Sequence, residues 1–180
     1  MTRFLSFLAA AVVSTSAAAC ADPCDTLVQM YTLMDASTSV RIVETSPGLT
    51  ITTEYQAPDR YRTVLNGHET IQIGGMGYTN LSGHWYWDYK QFQSPLEKAH
   101  LMLAYVKADR AKACSFVNPV DVGVKDGLDV IQTHDTTHGV DTVFYLRSDG
   151  FPARIEVTTR GTTYVTAYSD WNAPIVIEKP

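Results

Sequence analysis

The dominant pattern in the middle of this chain is an alternation of apolar and polar residues, interrupted by pairs of turn-forming residues. Between Arg60 and Tyr89 this pattern predicts four short strands. The turns between them fall at Asn66-Gly67, Gly74-Gly75 and Ser82-Gly83. Asparagine followed by glycine favours a tight hairpin turn, because both residues readily adopt positive φ. The stretch therefore predicts an antiparallel meander, one face of which carries Trp85, Trp87 and Tyr89.

Two other segments show the spacing of amphipathic helices. The first follows Asp22, a suitable N-cap, and Pro23, and is expected to end near Ser37. Its apolar stripe consists of Leu27, Met30, Tyr31 and Met34. The second is predicted to start at an N-cap on Ser94 and to end in a basic run, with Cys114 just after it. Its stripe consists of Leu96, Ala99, Met102, Leu103 and Val106.

Strands are also predicted on either side of these elements. A hairpin over residues 39–56 precedes the meander, and four or five strands follow the second helix between Val120 and Asp170. Residues 171–177 are expected to form a short edge segment. With no internal repeat or linker, the pattern predicts one α+β domain over residues 22–180, built from an antiparallel sheet and two helices.

The first 21 residues have the composition of an export signal. Arg3 precedes the apolar stretch Phe4–Val13, which is too short to span a membrane, and small residues follow. Two outcomes remain open. Cleavage after Ala21 would release a soluble chain, whereas lipidation at Cys20 would attach the chain to a membrane through its N-terminus. Both place the mature protein outside the cytoplasm, in the periplasm or attached to the outer membrane.

Either processing route removes Cys20 from the pool of free thiols. Cys24 and Cys114 then remain as one pair in an oxidising compartment, which predicts a disulfide between them. Two buried free thiols are the alternative. A redox-active pair is disfavoured because the sequence contains no CxxC motif.

Charge and motifs exclude several function classes. A net charge of −5 disfavours nucleic acid as a partner. His134 and His138 have the spacing of a metal pair on a helix, but they fall at a predicted strand end and turn, where a solvated loop is the favoured interpretation. No nucleotide-binding, metalloprotease or serine-hydrolase motif is present. We therefore expect no enzyme, no metal site and no cofactor.

Several segments resemble one family of exported bacterial proteins. The runs APDRYR (residues 57–62), NGHETIQIGGMGYTNLSGHWYW (residues 66–87), DGFPARIE (residues 149–156) and YSDWNAPIVIEKP (residues 168–180) are similar to the LolA/LolB-like superfamily of lipoprotein carriers. This resemblance implies a strongly curved antiparallel sheet, a half-barrel, with the two helices packed on its concave face. It further implies a hydrophobic cavity for acyl chains between sheet and helices.

Two functions follow as alternatives. The first is a monomeric, non-enzymatic binding protein that holds a lipid, a lipoprotein acyl group or another apolar ligand. Its candidate lining residues are Leu27, Met30, Tyr31, Met34, Ile71, Ile73, Tyr78, Trp85, Trp87, Met102, Leu103 and Val106. The second is a structural or protein-interaction domain with a solid core. The aromatic strand could also serve as an exposed platform for a sugar or peptide, but burial of Trp85 and Trp87 under the second helix is favoured.

Overall fold

The computed structural model describes residues 22–90 and 94–180 of the chain. Three helices and eleven strands are formed within these described residues. The helices are α1 (Pro23–Asp35), α2 (Glu97–Ala108) and α3 (Arg110–Val117). The strands are β1 (Ser39–Ser46), β2 (Leu49–Gln56), β3 (Arg60–Leu65), β4 (His68–Ile73), β5 (Met76–Leu81), β6 (His84–Tyr89), β7 (Val120–Lys125), β8 (Leu128–Asp135), β9 (Val140–Leu146), β10 (Pro152–Thr159) and β11 (Thr162–Ser169).

All eleven strands belong to one curled, open antiparallel sheet in the order β6-β5-β4-β3-β2-β1-β11-β10-β9-β8-β7. Strands adjacent in sequence pair with one another, except β6 and β7, which lie at the two edges of the sheet, and the pairing of β1 with β11 joins the two halves. The predicted meander is confirmed, since β3 to β6 follow each other through tight turns. Asn66 and Gly67 both have positive φ, as the hairpin pattern requires. The predicted half-barrel with helices on it is likewise confirmed.

The start of α1 follows its sequence signals closely. The Asp22 side chain accepts a hydrogen bond from the Cys24 backbone N–H at 2.9 Å, and Pro23 occupies the first turn. The predicted stripe of Leu27, Met30, Tyr31 and Met34 is buried. Because these side chains recur every three or four residues, a single face of the helix packs against the sheet.

The segment predicted as one second helix forms two helices, α2 and α3. The predicted start and the predicted end of the helix were both wrong. The Ser94 hydroxyl accepts a hydrogen bond from the Leu96 N–H, but α2 begins at Glu97 with no side-chain cap on Leu96. The chain then breaks at Asp109, whose carboxylate accepts a hydrogen bond from the Lys112 N–H and caps α3. Aspartate is a strong N-cap, so a new helix start competes here with continuation of the old helix. Cys114 consequently lies inside α3, and not after the helix.

The helices lie on the concave face of the sheet. Residues directly opposite each other in neighbouring strands project to the same side, so the register identifies each face. The main core cluster combines α1 and α2 side chains with Val40, Ile42, Tyr55, Ile131 and Phe144 of the sheet. The opposite, convex face carries ion pairs in which Arg41 binds Glu54 at 2.9 Å and Asp170 at 2.7 Å.

The C-terminal residues do not form the predicted edge segment. Residues 171–180 form no strand: Trp171 packs against the main core, and Ile175 and Ile177 pack against the convex face of the meander. The Ile177 N–H donates to the Gln56 side chain at 3.0 Å, and Arg60 donates to the Ile177 carbonyl at 3.0 Å. The Ile177 side chain is 2% exposed and packs against Ile71 and Tyr78. We call residues 171–180 the strap, since they cross from β1 to the meander.

The aromatic strand lies outside the helix layer, which corrects the prediction that the second helix buries it. Trp87 pairs with Tyr78, and Trp85 with Asn80, so both indoles belong to the convex face. Trp85 packs against the cluster around Ile177, whereas Trp87 is 65% exposed. Within the described residues, no helix has the length and apolar character needed to cross a membrane.

Candidate functional site

A cavity of about 560 Å³ lies between the three helices and the concave face of β1 and β8 to β11. Its volume is typical of a small-molecule site, and its wall is mostly apolar. Its wall includes residues of α1 and of β11, which are far apart in sequence, so the cavity forms only when the two ends of the domain have come together.

Mostly apolar side chains form the helix side of the wall. From α1 and α2 these include Leu27, Tyr31, Met34, Met102 and Val106. Ala113, Phe116 and Val117 complete it from α3. Methionine is flexible and polarisable, which suits a wall that must adapt to ligands of different shape.

Alternate residues of four strands form the sheet side of the wall. Phe144 of β9 is directly opposite Ile155 of β10, and Ile155 is opposite Thr166 of β11. Two residues further along the same face, Thr142 of β9 is opposite Val157 of β10. Apolar side chains therefore alternate with threonines across this wall, and the threonines offer hydroxyl groups beside hydrocarbon.

Two tyrosines, Tyr31 and Tyr168, lie in the wall of the cavity. The Tyr31 ring meets Phe144 edge to face, with 6.4 Å between ring centroids. Burial raises the pKa of Tyr31 to about 12. Burial also raises the pKa of Tyr168, and the negative charge of Glu44 adds to this effect. The Tyr168 ring stacks on Trp171 at 5.5 Å, which fixes its position in the wall.

The predicted disulfide between Cys24 and Cys114 is confirmed, and it ties two parts of the cover together. It joins the first turn of α1 to α3, with 5.8 Å between the two Cα atoms. Arg110 strengthens the same corner, because its guanidinium binds both Asp22 and Asp25. The helix cover is thus cross-linked at the start of α1, where Cys24 itself lines the cavity.

A second pocket of about 360 Å³ continues the cavity along the concave face toward β2 and β3. Four residues line both spaces, which makes them neighbouring parts of one groove. They are Glu44, Pro95, Thr166 and Tyr168. The second pocket is the more polar, since its remaining wall includes Thr53, Tyr61, Thr63 and Ser94.

The structure separates the predicted lining residues into three groups. Leu27, Tyr31, Met34, Met102 and Val106 line the cavity. Met30 and Leu103 are buried in the core and lie outside its lining. The meander residues lie on the convex face, away from the cavity, and these are Ile71, Ile73, Tyr78, Trp85 and Trp87. Cys20, the predicted lipidation site, falls outside the described residues.

Sequence reasoning missed the sheet side of the wall. Thr142 and Phe144, Ile155 and Val157, and Thr166 and Tyr168 each occur two residues apart on one strand. This alternation shows that each pair shares a face of the sheet. It does not show that the helices cover that face, so the sequence alone did not identify these residues as part of a cavity wall.

The two histidines with metal-like spacing bind different aspartates. His134 Nδ1 is 2.7 Å from Asp141, and His138 Nδ1 is 2.7 Å from Asp135. The hydrogen bond from His138 holds the pKa of Asp135 below its usual value, and backbone N–H groups contribute to the same effect. Among the described residues, no group of three potential metal ligands converges. Asp135 and His138 instead form part of the cavity wall.

Comparison with solved structures supports the fold at low sequence identity. Lipoprotein LppX of Mycobacterium tuberculosis aligns with a TM-score of 0.60 and 15% identity, over 87% of this chain and 98% of LppX. LprF of Mycobacterium bovis aligns with a TM-score of 0.59 and 15% identity, over 88% of this chain and 96% of LprF. No protein-family model and no curated protein sequence matches the chain. The chain therefore shares a fold with these two proteins.

Proposed function

We propose that this protein is an exported, non-enzymatic carrier that holds a lipid, an acyl group or a similar apolar molecule between its helices and its sheet. The observation that carries the proposal is the cavity of about 560 Å³ on the concave face. A solid core would leave no such space beneath a helix cover. The shared fold with the lipoprotein LppX and the resemblance to LolA/LolB-like carriers support the same function.

Reversible binding needs only burial of apolar surface. Each methylene transferred from water contributes about 0.8 kcal/mol, so ten of them would supply about 8 kcal/mol before the costs of association. Tyr31 and Phe144 would contact the buried end of such a chain, because both line the cavity and both are buried. The proposal includes no covalent step and no cofactor.

Export would bring the carrier to its ligands. The segment before Asp22 has the composition of a signal sequence, and it would leave either a soluble periplasmic protein or one attached through a lipid on Cys20. The mass of the mature N-terminus distinguishes the two forms. We propose a single domain over residues 22–180 that works as a monomer.

A protein-interaction domain remains the second candidate, because the edge strand β6 exposes large aromatic side chains. Trp87 is 65% exposed and Tyr89 is 78% exposed. Exposed aromatic residues are enriched at protein–protein contacts. Under this alternative the cavity would have no ligand.

The test is uptake of an uncharged fluorescent probe, N-phenyl-1-naphthylamine, by protein purified after export. We expect saturable binding that Val157→Trp reduces at least tenfold, because the indole would fill part of the cavity. Thr158→Trp is the matched control, since Thr158 is the next residue of β10 and projects to the convex face. Equal binding by both variants, or no binding by the wild type, would refute the carrier function. Native mass spectrometry of the same protein should show a co-purified lipid.

A further inference from the structure

The two faces of the sheet differ sharply in charge. All lysines and arginines of the eleven strands project to the convex face according to the strand register, and they are Arg41, Arg60, Arg62, Lys125 and Arg154. The concave face carries only acidic residues among its charged side chains, and they are Glu44, Asp88, Asp121, Asp129 and Asp135. The proposed binding face is therefore negative.

Most carboxylates on the convex strands are neutralised by these cations. Glu54 binds Arg41, Glu69 binds Arg62, and Glu156 is 3.0 Å from Arg154. On the concave face, Asp135 is satisfied by His138 and by backbone N–H groups.

Glu44 differs from Glu54, Glu69, Glu156 and Asp135. Among the side chains that the structure describes, the Glu44 carboxylate has no hydrogen-bond or ion-pair partner. It lies at the junction of the two pockets and lines both. In the register, Thr166 is directly opposite it on one side and Ile51 on the other. An exposed carboxylate with no partner among the described side chains thus lies where the apolar cavity meets the polar pocket.

The surroundings of Glu44 suit a positively charged group. No lysine or arginine lines either pocket among the described residues. Hydroxyl groups of Thr53, Thr63 and Ser94 can accept hydrogen bonds from an ammonium group in the second pocket. Tyr168 also lines both pockets, and an aromatic ring attracts a cation that approaches its face.

We propose that the natural ligand is an amphiphile with a cationic amino head group, whose hydrocarbon chain occupies the cavity and whose head group contacts Glu44. This inference rests on the proposed carrier function and adds the chemical class of the ligand. An amphiphile with a carboxylate or phosphate head would place like charges side by side at the junction. The groove therefore selects by the charge of the head group as well as by the apolar chain.

The experiment compares two probes that share a twelve-carbon backbone, dodecylamine and dodecanoate, at pH 7. At this pH the amine is protonated and the carboxylate is ionised. Each probe displaces N-phenyl-1-naphthylamine from the exported protein below its aggregation concentration. We expect dodecylamine to bind about tenfold more tightly than dodecanoate at low salt, and the preference to decrease at 1 M salt.

Glu44→Gln removes the proposed contact and preserves the shape of the side chain. We expect it to weaken dodecylamine binding about fivefold more than it weakens binding of the uncharged probe. Glu178→Gln is the matched control, because it makes the same change in net charge at an exposed residue of the strap. This control should leave both affinities unchanged.

The failures of the two proposals are distinguishable. If the uncharged probe does not bind, the carrier function fails and takes this inference with it. If the uncharged probe binds but dodecanoate matches or exceeds dodecylamine, only the cationic head group is refuted. An equal loss of dodecylamine binding in Glu44→Gln and Glu178→Gln would also refute it, because the effect would then belong to net charge alone.

Discussion

The two halves of the sheet bury their apolar residues on opposite sides. In the half formed by β1 and β8 to β11, the concave face packs against three helices and leaves a cavity. In the meander half, Ile71 and Tyr78 of the convex face pack against Ile177 of the strap. A broad layer of helices covers one half, and a single extended segment covers the other.

The difference shows how the type of cover determines whether space remains. A helix packs on a sheet through a few large side chains, because its backbone lies well above the strands. Gaps can therefore remain between α1, α2 and the sheet. The strap lies directly on the sheet and donates hydrogen bonds to it, as the 3.0 Å contact from Ile177 to Gln56 shows. Among the described residues, the cavity of about 560 Å³ lies under the helices.

The largest expected effect on stability comes from removing the disulfide that links α1 to α3 in the helix cover. Replacing both cysteines, as Cys24→Ala with Cys114→Ala, removes a cross-link that closes a loop of 90 residues. We expect the free energy of unfolding to fall by about 4 kcal/mol, because the unfolded chain gains conformational freedom. Urea denaturation of the exported protein measures it.

Chemical reduction of the wild type supplies the control for this change. It should lower stability by a similar amount, since it breaks the same bond without altering the side-chain volume. Loss of probe binding should accompany both treatments. A doubly substituted protein as stable as the wild type would contradict the cross-linked cover.

The next effect concerns the strap. Ile177→Ala deletes a side chain that is 2% exposed, and we expect a loss of about 2 to 3 kcal/mol from the cavity it leaves. Hydrogen exchange should become faster in β4 and β5, while α1 and β9 remain protected.

Val176→Ala is the matched control for Ile177→Ala, because Val176 is the preceding residue and is 71% exposed. It should change stability by less than about 0.5 kcal/mol. If the two variants behaved alike, the strap would not hold the meander through Ile177.

A smaller effect is expected at the break between α2 and α3. Asp109→Ala removes the cap on the Lys112 N–H and should cost about 1 kcal/mol. Asp109→Asn keeps an accepting oxygen at the cap and should restore most of the lost stability. Thermal unfolding followed by circular dichroism distinguishes the two variants. Equal stability of Asp109→Ala and the wild type would show that the cap contributes nothing.

Local patterns predicted most of the fold. The Asn66-Gly67 turn, the strand alternation and the stripe on α1 each depend on residues close together in sequence, and each prediction was confirmed. The break at Asp109 was missed because the apolar spacing of α2 and the capping preference of aspartate compete over the same few residues.

The candidate site was harder to predict. Alternation shows that Trp85 and Trp87 share a face, but the identity of the cover depends on contacts between residues far apart in sequence. Ile177 lies about a hundred residues from Tyr78, which it covers. For the same reason Phe144 and Val157 were overlooked, because only the docking of the helices turns their face into a cavity wall.

The central claim is that the concave, helix-covered half holds the ligand. A crystal structure with bromododecane, an uncharged chain carrying one heavy atom, tests it directly through the anomalous signal of bromine. We predict a single strong peak between the helices and the sheet, near Tyr31, Phe144 and Val157. Bromine on the convex face beside Trp87, with the cavity empty, would contradict the claim.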